Sequence, residues 1–234
     1  MEQVRNAAFH GEPEFVHFME RLLPLVDDTI EKLSQTKFRE DPIGGRKYSR
    51  ATSIISSAYK RHGQILGQAI LERLKDCARL QIWRDDAFKL SSESLQQLRS
   101  HELVEKCLTI KLPYGEIDKT IPIDVIVFDK ASGTLRSYDV KRGNGAYDAG
   151  KKRTMTGELL RTNMLLLDYG RSMGVEPSKA EARIIFYYGL RSVPEPLSLV
   201  REDLDEHFGF PIQEAIEAIN EYFRKKLYQL IESG

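Results

Sequence analysis

Residues 121–153 read IPIDVIVFDKASGTLRSYDVKRGNGAYDAGKKR, and the fold follows from how this stretch divides. The run Ile123-Asp124-Val125-Ile126-Val127-Phe128 is almost wholly apolar and β-branched, and strand character resumes over residues 134–141. Lys130-Ala131-Ser132-Gly133 supplies turn residues between them, so the stretch is expected to be a β-hairpin. A four-residue turn sets Asp129 opposite Thr134, and counting back sets Val127 opposite Arg136, Val125 opposite Tyr138 and Asp124 opposite Asp139. A two-residue turn centred on the same bond keeps that pairing, whereas a three- or five-residue loop slips it by one and separates the carboxylates. Side chains alternate along a strand, so Lys141 shares a face with Asp139 while Tyr138 and Val140 point the other way.

Two carboxylates facing each other across a ladder repel by roughly tenths to one kcal/mol, and the arrangement calls for a cation. A divalent metal would supply it. Hard oxygen donors suit Mg²⁺, which takes one or two carboxylates, a carbonyl or phosphate oxygen, and water. The plainer reading is an ordinary ion pair between Asp124 and Lys141 at a wet strand end.

Pro122-Ile123-Asp124, fourteen intervening residues, and Asp139-Val140-Lys141 together resemble the signature of the PD-(D/E)XK nuclease superfamily, which includes many type II restriction endonucleases. Pro122 is separated from Asp124 by Ile123, a variation that leaves the acidic residue in place. The resemblance implies that Asp124 and Asp139, with the Val140 backbone, hold Mg²⁺, for which Mn²⁺ can substitute, and that Lys141 positions or polarises the attacking water. It also implies an acidic residue from the helix before the sheet. Glu72 is the candidate, with Glu116 in reserve and a surface bond from Glu72 to Lys75 or Arg73 as the alternative.

Composition sets outer limits. The chain has 234 residues, 41% hydrophobic and 30% charged, as expected of a globular protein with a sizeable core. Its 35 basic and 35 acidic residues cancel, which argues against a uniform basic field but leaves room for a local cationic cleft. No apolar run approaches the roughly 18 residues of a membrane span, and the first residues have no signal-peptide core, so a cytoplasmic location is expected. Cys77, Cys107 and five scattered histidines show no zinc or disulfide spacing.

Along the chain, Phe15, Phe18, Met19, Leu22, Leu23 and Val26 predict a helix over 13–36. Asp41-Pro42-Ile43-Gly44-Gly45 is a loop followed by Arg46, Lys47 and Arg50, which could touch a phosphate backbone or be simply solvated. Residues 49–79 carry the stripe Ile55, Ala58, Ile65, Leu66, Ala69, Ile70 and Leu74 of a long helix, and Glu72 falls at its edge. Residues 80–83 and 107–112 are expected strands around a polar segment with room for a short helix. Residues 146–173 predict a helix, residues 182–188 a buried strand, and Ile212, Ala215, Ile216, Ile219, Phe223, Leu227 and Leu230 a final amphipathic helix, packed on its own domain or on a second subunit.

Gly145-Ala146-Tyr147-Asp148-Ala149-Gly150-Lys151 also fits the Gly-x-x-x-x-Gly-Lys pattern of a phosphate-binding loop, but Lys152 stands where a Ser or Thr should hold Mg²⁺. In the nuclease reading Arg142, Lys151, Lys152 and Arg153 would grip a DNA phosphate; surface solvation is the alternative. The expectation is thus an α/β fold with a restriction-endonuclease-like mixed central sheet flanked by helices and additional N- and C-terminal helices. It forms one domain over 1–234, with a core of about 55–192 and elaborations 1–54 and 193–234. The expected function is Mg²⁺-dependent, site-specific cleavage of double-stranded DNA by a homodimer with no membrane attachment. The alternatives are a non-catalytic nucleic-acid-binding or assembly protein on that fold, a repair exonuclease, an RNA substrate, or a nucleotide binder.

Overall fold

The computed structural model describes residues 13–100 and 104–233. In chain order the elements are helices α1 (Pro13–Ser34) and α2 (Gly45–Leu74), strand β1 (Leu80–Leu90), and helices α3 (Ser92–Ser100) and α4 (Val104–Thr109). Strands β2 (Lys119–Asp129) and β3 (Thr134–Lys141), helix α5 (Ala149–Ser172) and strands β4 (Lys179–Phe186) and β5 (Ser198–Val200) follow. A 3₁₀ turn at Arg201–Asp203 leads into helices α6 (Leu204–Phe208) and α7 (Gln213–Glu232). The chain is mixed α/β, as its pattern implies, and it divides into two compact units.

One unit joins the described part of Met1–Asp76 to Pro211–Gly234. Helices α1, α2 and α7 pack on one another there, burying Phe18, Leu22 and Val26 of α1, Ile54, Ala58 and Ile65 of α2, and Ile216, Ile219 and Phe223 of α7. These are the apolar stripes of three amphipathic helices, and their mutual burial holds the unit together. The final amphipathic helix therefore packs within its own chain. Residues 55–76, grouped with the sheet in the sequence reading, cluster here with the terminal helices.

The other unit, Cys77–Phe210, carries the sheet in the order β1-β2-β3-β4-β5. The first three strands are antiparallel neighbours, while β3, β4 and β5 run parallel. A parallel connection needs a crossover, and α5 supplies it between β3 and β4. Helix α5 buries Leu160, Met164, Leu165 and Tyr169 in a core shared with Ile126, Leu135, Ile184 and Phe186 of the sheet.

Two expectations need correction. Residues 107–112 form no strand: α4 occupies the first half of that stretch, and the backbone beyond it bonds to α5 instead of to a ladder. The Leu112 amide donates to the Met164 carbonyl at 2.8 Å and Asn163 Nδ2 donates to the Leu108 carbonyl at 3.1 Å. Strand β1 also runs past Trp83 to Leu90, through polar residues that masked it. Its pairing with β2 is irregular on both sides of Asp85, where the Asp85 carboxylate accepts the Ala87 amide at 2.8 Å.

Candidate active site

The hairpin has the register that a four-residue turn dictates: Asp129 faces Thr134, Val127 faces Arg136 and Val125 faces Tyr138. There the β2–β3 ladder stops. Residues 119–123 of β2 continue paired to β1, and residues 139–141 of β3 continue paired to β4, so the two strands part. Asp124 and Asp139 are the first residues beyond the last paired step.

The opening between the parting strands is a cleft of about 360 Å³. Asp124, Asp139 and Lys141 line it from the sheet, Lys119 from the start of β2, and Met155, Glu158 and Thr162 from α5. The opposite face of β3 is closed. Tyr138 is fully buried with its ring against Phe208, and its hydroxyl lies 2.7 Å from His207 Nε2.

Asp124 Oδ2 accepts the Val140 amide at 2.8 Å, so this side chain stands in for a missing ladder bond. Burial, and then the charge of Asp139, pushes the Asp124 carboxyl up to about 6, although the Val140 amide and Lys141 pull the other way. Lys141 Nζ donates to Asp139 Oδ1 at 2.6 Å. Burial alone would lower the Lys141 ammonium, but the ion pair and hydrogen bond with Asp139, and Asp124 behind it, hold it above its ordinary range. Lys141 thus stays a cation at neutral pH and serves as a donor. The plainer alternative, a surface pair of Asp124 with Lys141, is not what forms: Lys141 pairs with Asp139.

The other sequence candidates are spread out. Glu72 sits on α2 in the first unit, and its carboxylate is engaged by Arg21 at 3.1 Å, Lys75 at 2.7 Å and Gln68 at 3.1 Å. It is not among the residues lining the cleft. Glu116 accepts the Ser92 amide at 3.3 Å, at the start of α3. Arg142 lies over the Tyr188 ring at 5.7 Å and Lys151 over the Tyr147 ring at 4.4 Å, while Lys152 and Arg153 come next near the start of α5. Asp148 caps α5, its Oδ1 accepting the Lys151 amide at 2.8 Å. In the phosphate-loop reading, a carboxylate therefore fills the helix end where a phosphate would sit.

Sequence reasoning missed Glu158, which lines the cleft and pairs with Lys119. Its position carried a signal: it lies three residues after Met155 and four before Thr162, a carboxylate on the inward stripe of α5. Among the described residues, no group of three or more His, Cys, Asp or Glu side chains is arranged to hold a metal ion. Compared with known proteins, the chain matches no family model, no curated protein and no solved structure.

Proposed function

We propose that the cleft hydrolyses DNA phosphodiester bonds with Mg²⁺ held by Asp124 and Asp139. The observation that carries this reading is the pair of acids at the parting of β2 and β3, with Asp124 pushed up to about 6 by burial and by Asp139. Burial and the second carboxylate outweigh the pull of Lys141 on Asp124, and a divalent cation bound to hard oxygens would offset that cost. The donor chemistry fits Mg²⁺, or Mn²⁺ in its place. When bound, such an ion would neutralise charge on a phosphoryl oxygen and lower the pKa of a coordinated water.

The chain's own residues complete the chemistry. Lys141, cationic and fixed by Asp139, is placed to donate to a water or to a non-bridging phosphate oxygen as negative charge grows there. The Val140 amide orients Asp124, so truncating Asp124 would leave that amide without its acceptor. Arg142, Lys151, Lys152 and Arg153 come after the site strand and supply cations for flanking phosphates. Site-specific cleavage of both strands would call for a homodimer presenting two such clefts.

The test is incubation of plasmid and phage DNA with the full chain in Mg²⁺, beside EDTA and the Lys141→Ala protein. Discrete fragments lost in both controls are expected. Intact DNA in Mg²⁺ and in Mn²⁺, from protein that still binds duplex, would replace this reading with that of a non-catalytic binding protein.

A further inference from the structure

Between Asp41 and Glu72 the sequence contains no acidic residue but holds Arg46, Lys47, Arg50, Lys60 and Arg61. In a chain whose charges cancel overall, this part of α2 collects charge of one sign. At 100° per residue, Arg46, Arg50, Lys60 and Arg61 fall within an arc of about 100°, and Ser53 and Ser57 lie along the same stripe. Arg46, Lys47 and Lys60 are exposed. Among the described residues Arg46, Lys47, Lys60 and Arg61 make no ion pair with a carboxylate. Arg50 donates to the Leu230 carbonyl at the far end of α7.

On the far side of the helix from this stripe Tyr48 and Tyr59 stand 68% and 51% exposed, with Thr52 between them. An open cleft of about 320 Å³, lined by Arg39, Asp41, Tyr48, Thr52 and Ser53, lies along the start of α2. The helix end itself is not an anion site, because Asp41 Oδ1 already accepts the Ile43 and Gly44 amides at 2.9 Å.

We infer that the exposed face of α2 is a second contact for the backbone of double-stranded DNA, a substrate class that rests on the nuclease reading above. The cations run from Arg46 to Arg61, about 22 Å of helix, which spans about six base pairs of duplex axis at about 3.4 Å each. Ser53 and Ser57 between them are small hydroxyl-bearing residues that let a phosphate backbone approach closely. A membrane surface suits this helix poorly. A lipid-binding helix presents Leu, Phe or Trp outward, whereas Ile54, Ala58, Ile65 and Leu66 of α2 are buried.

Binding of a fluorescent 30-base-pair duplex to the full chain in EDTA, over 50–200 mM salt, tests the inference. Arg46→Gln, Lys47→Gln and Lys60→Gln combined should weaken Kd at least tenfold at 100 mM salt. They should also flatten the slope of log K against log salt by roughly 2 to 3, at about 0.9 per lost phosphate contact. Lys60→Glu alone, a single exposed change, should weaken binding in the same direction. Unchanged Kd and slope in both variants overturn the inference, as does variant-sensitive binding to phosphatidylserine vesicles with none to duplex. The two readings fail separately. Duplex binding that depends on α2 without any cleavage in Mg²⁺ leaves this inference standing and removes the nuclease. Cleavage unaffected by the α2 changes does the reverse.

Discussion

Asp124 Oδ2 lies 2.8 Å from the Val140 amide nitrogen, a side chain completing the backbone bonding of the neighbouring strand where the ladder ends. The bond fixes Asp124 in a partly buried position beside Asp139, and the folded chain carries the electrostatic cost. Asp124 is raised from 3.8 to about 6, so between those values the folded state binds more protons than the unfolded state. Stability therefore falls as pH rises through that window, and the full cost is present above pH 6.

Asp124→Asn should accordingly stabilise the protein in EDTA at pH 8. An amide oxygen can still accept from Val140, and removing the charge relieves about 1–3 kcal/mol. The gain should shrink as pH falls below 6 and vanish near pH 4. Urea titrations at pH 4, 6 and 8 measure it. An Asn variant less stable than the parent at pH 8 would show that the carboxylate is not strained there.

Gly143 lies two residues beyond the end of the site strand, and its backbone is in the left-handed region at φ +66. An added Cβ would sit 2.8 Å from Phe186 Cβ and 3.0 Å from its backbone, atoms that cannot move without shifting β4. The carbonyls of Lys141, Arg142 and Gly143 accept the amides of Tyr187, Tyr188 and Leu190 at 2.7–2.9 Å, so this junction holds Lys141 in register. Gly143→Ala should cost about 2–4 kcal/mol, from the left-handed backbone and from overpacking. Gly145→Ala, with nothing within 4 Å of its Cβ, should stay within about 0.5 kcal/mol. Thermal melts of the two variants side by side check this, and equal losses would mean that the close approach to Phe186 carries no cost.

The hairpin was legible because three local signals agreed: a β-branched run, a turn with Gly133 at φ +63, and alternation that fixes the register. The end of that ladder was only half legible. The count puts Asp124 opposite Asp139, but it cannot show that β2 turns to β1 and β3 to β4 at that step, which opens the cleft. Residues 107–112 misled because a short apolar run reads alike whether a sheet or a helix covers it, and here α5 does. Strand β5 is three residues long and pairs only with β4, too little chain to show a period. Glu158 was passed over as part of a core-facing stripe. Residues 202–206 look like a solvated acidic run, yet Asp203 accepts the Val200 amide at 2.8 Å and pairs with Arg191 at 2.6 Å.

Arg161 binds the start of β2 to two helices. From α5 it donates to Ser94 Oγ and the Ser91 carbonyl at 2.9 Å and to Asp118 Oδ2 at 2.7 Å, and it is only 6% exposed. Asp118 immediately precedes Lys119, which lines the cleft, so the guanidinium fork sets the height at which β2 enters the site. Arg161→Ala leaves the Asp118 carboxylate without its cation, while the Ser91 carbonyl keeps the Ser94 hydroxyl at 2.7 Å. Asp118 is about one third exposed and can recover some water, so the loss should be about 2–4 kcal/mol, below that of a fully buried pair. Arg161→Lys keeps the charge but cannot reach all three acceptors from one planar group, and it should recover less than half of the loss. Urea midpoints for the three proteins at pH 7 decide it. A lysine variant as stable as the parent would mean that charge alone, and not the fork, anchors this corner of the cleft.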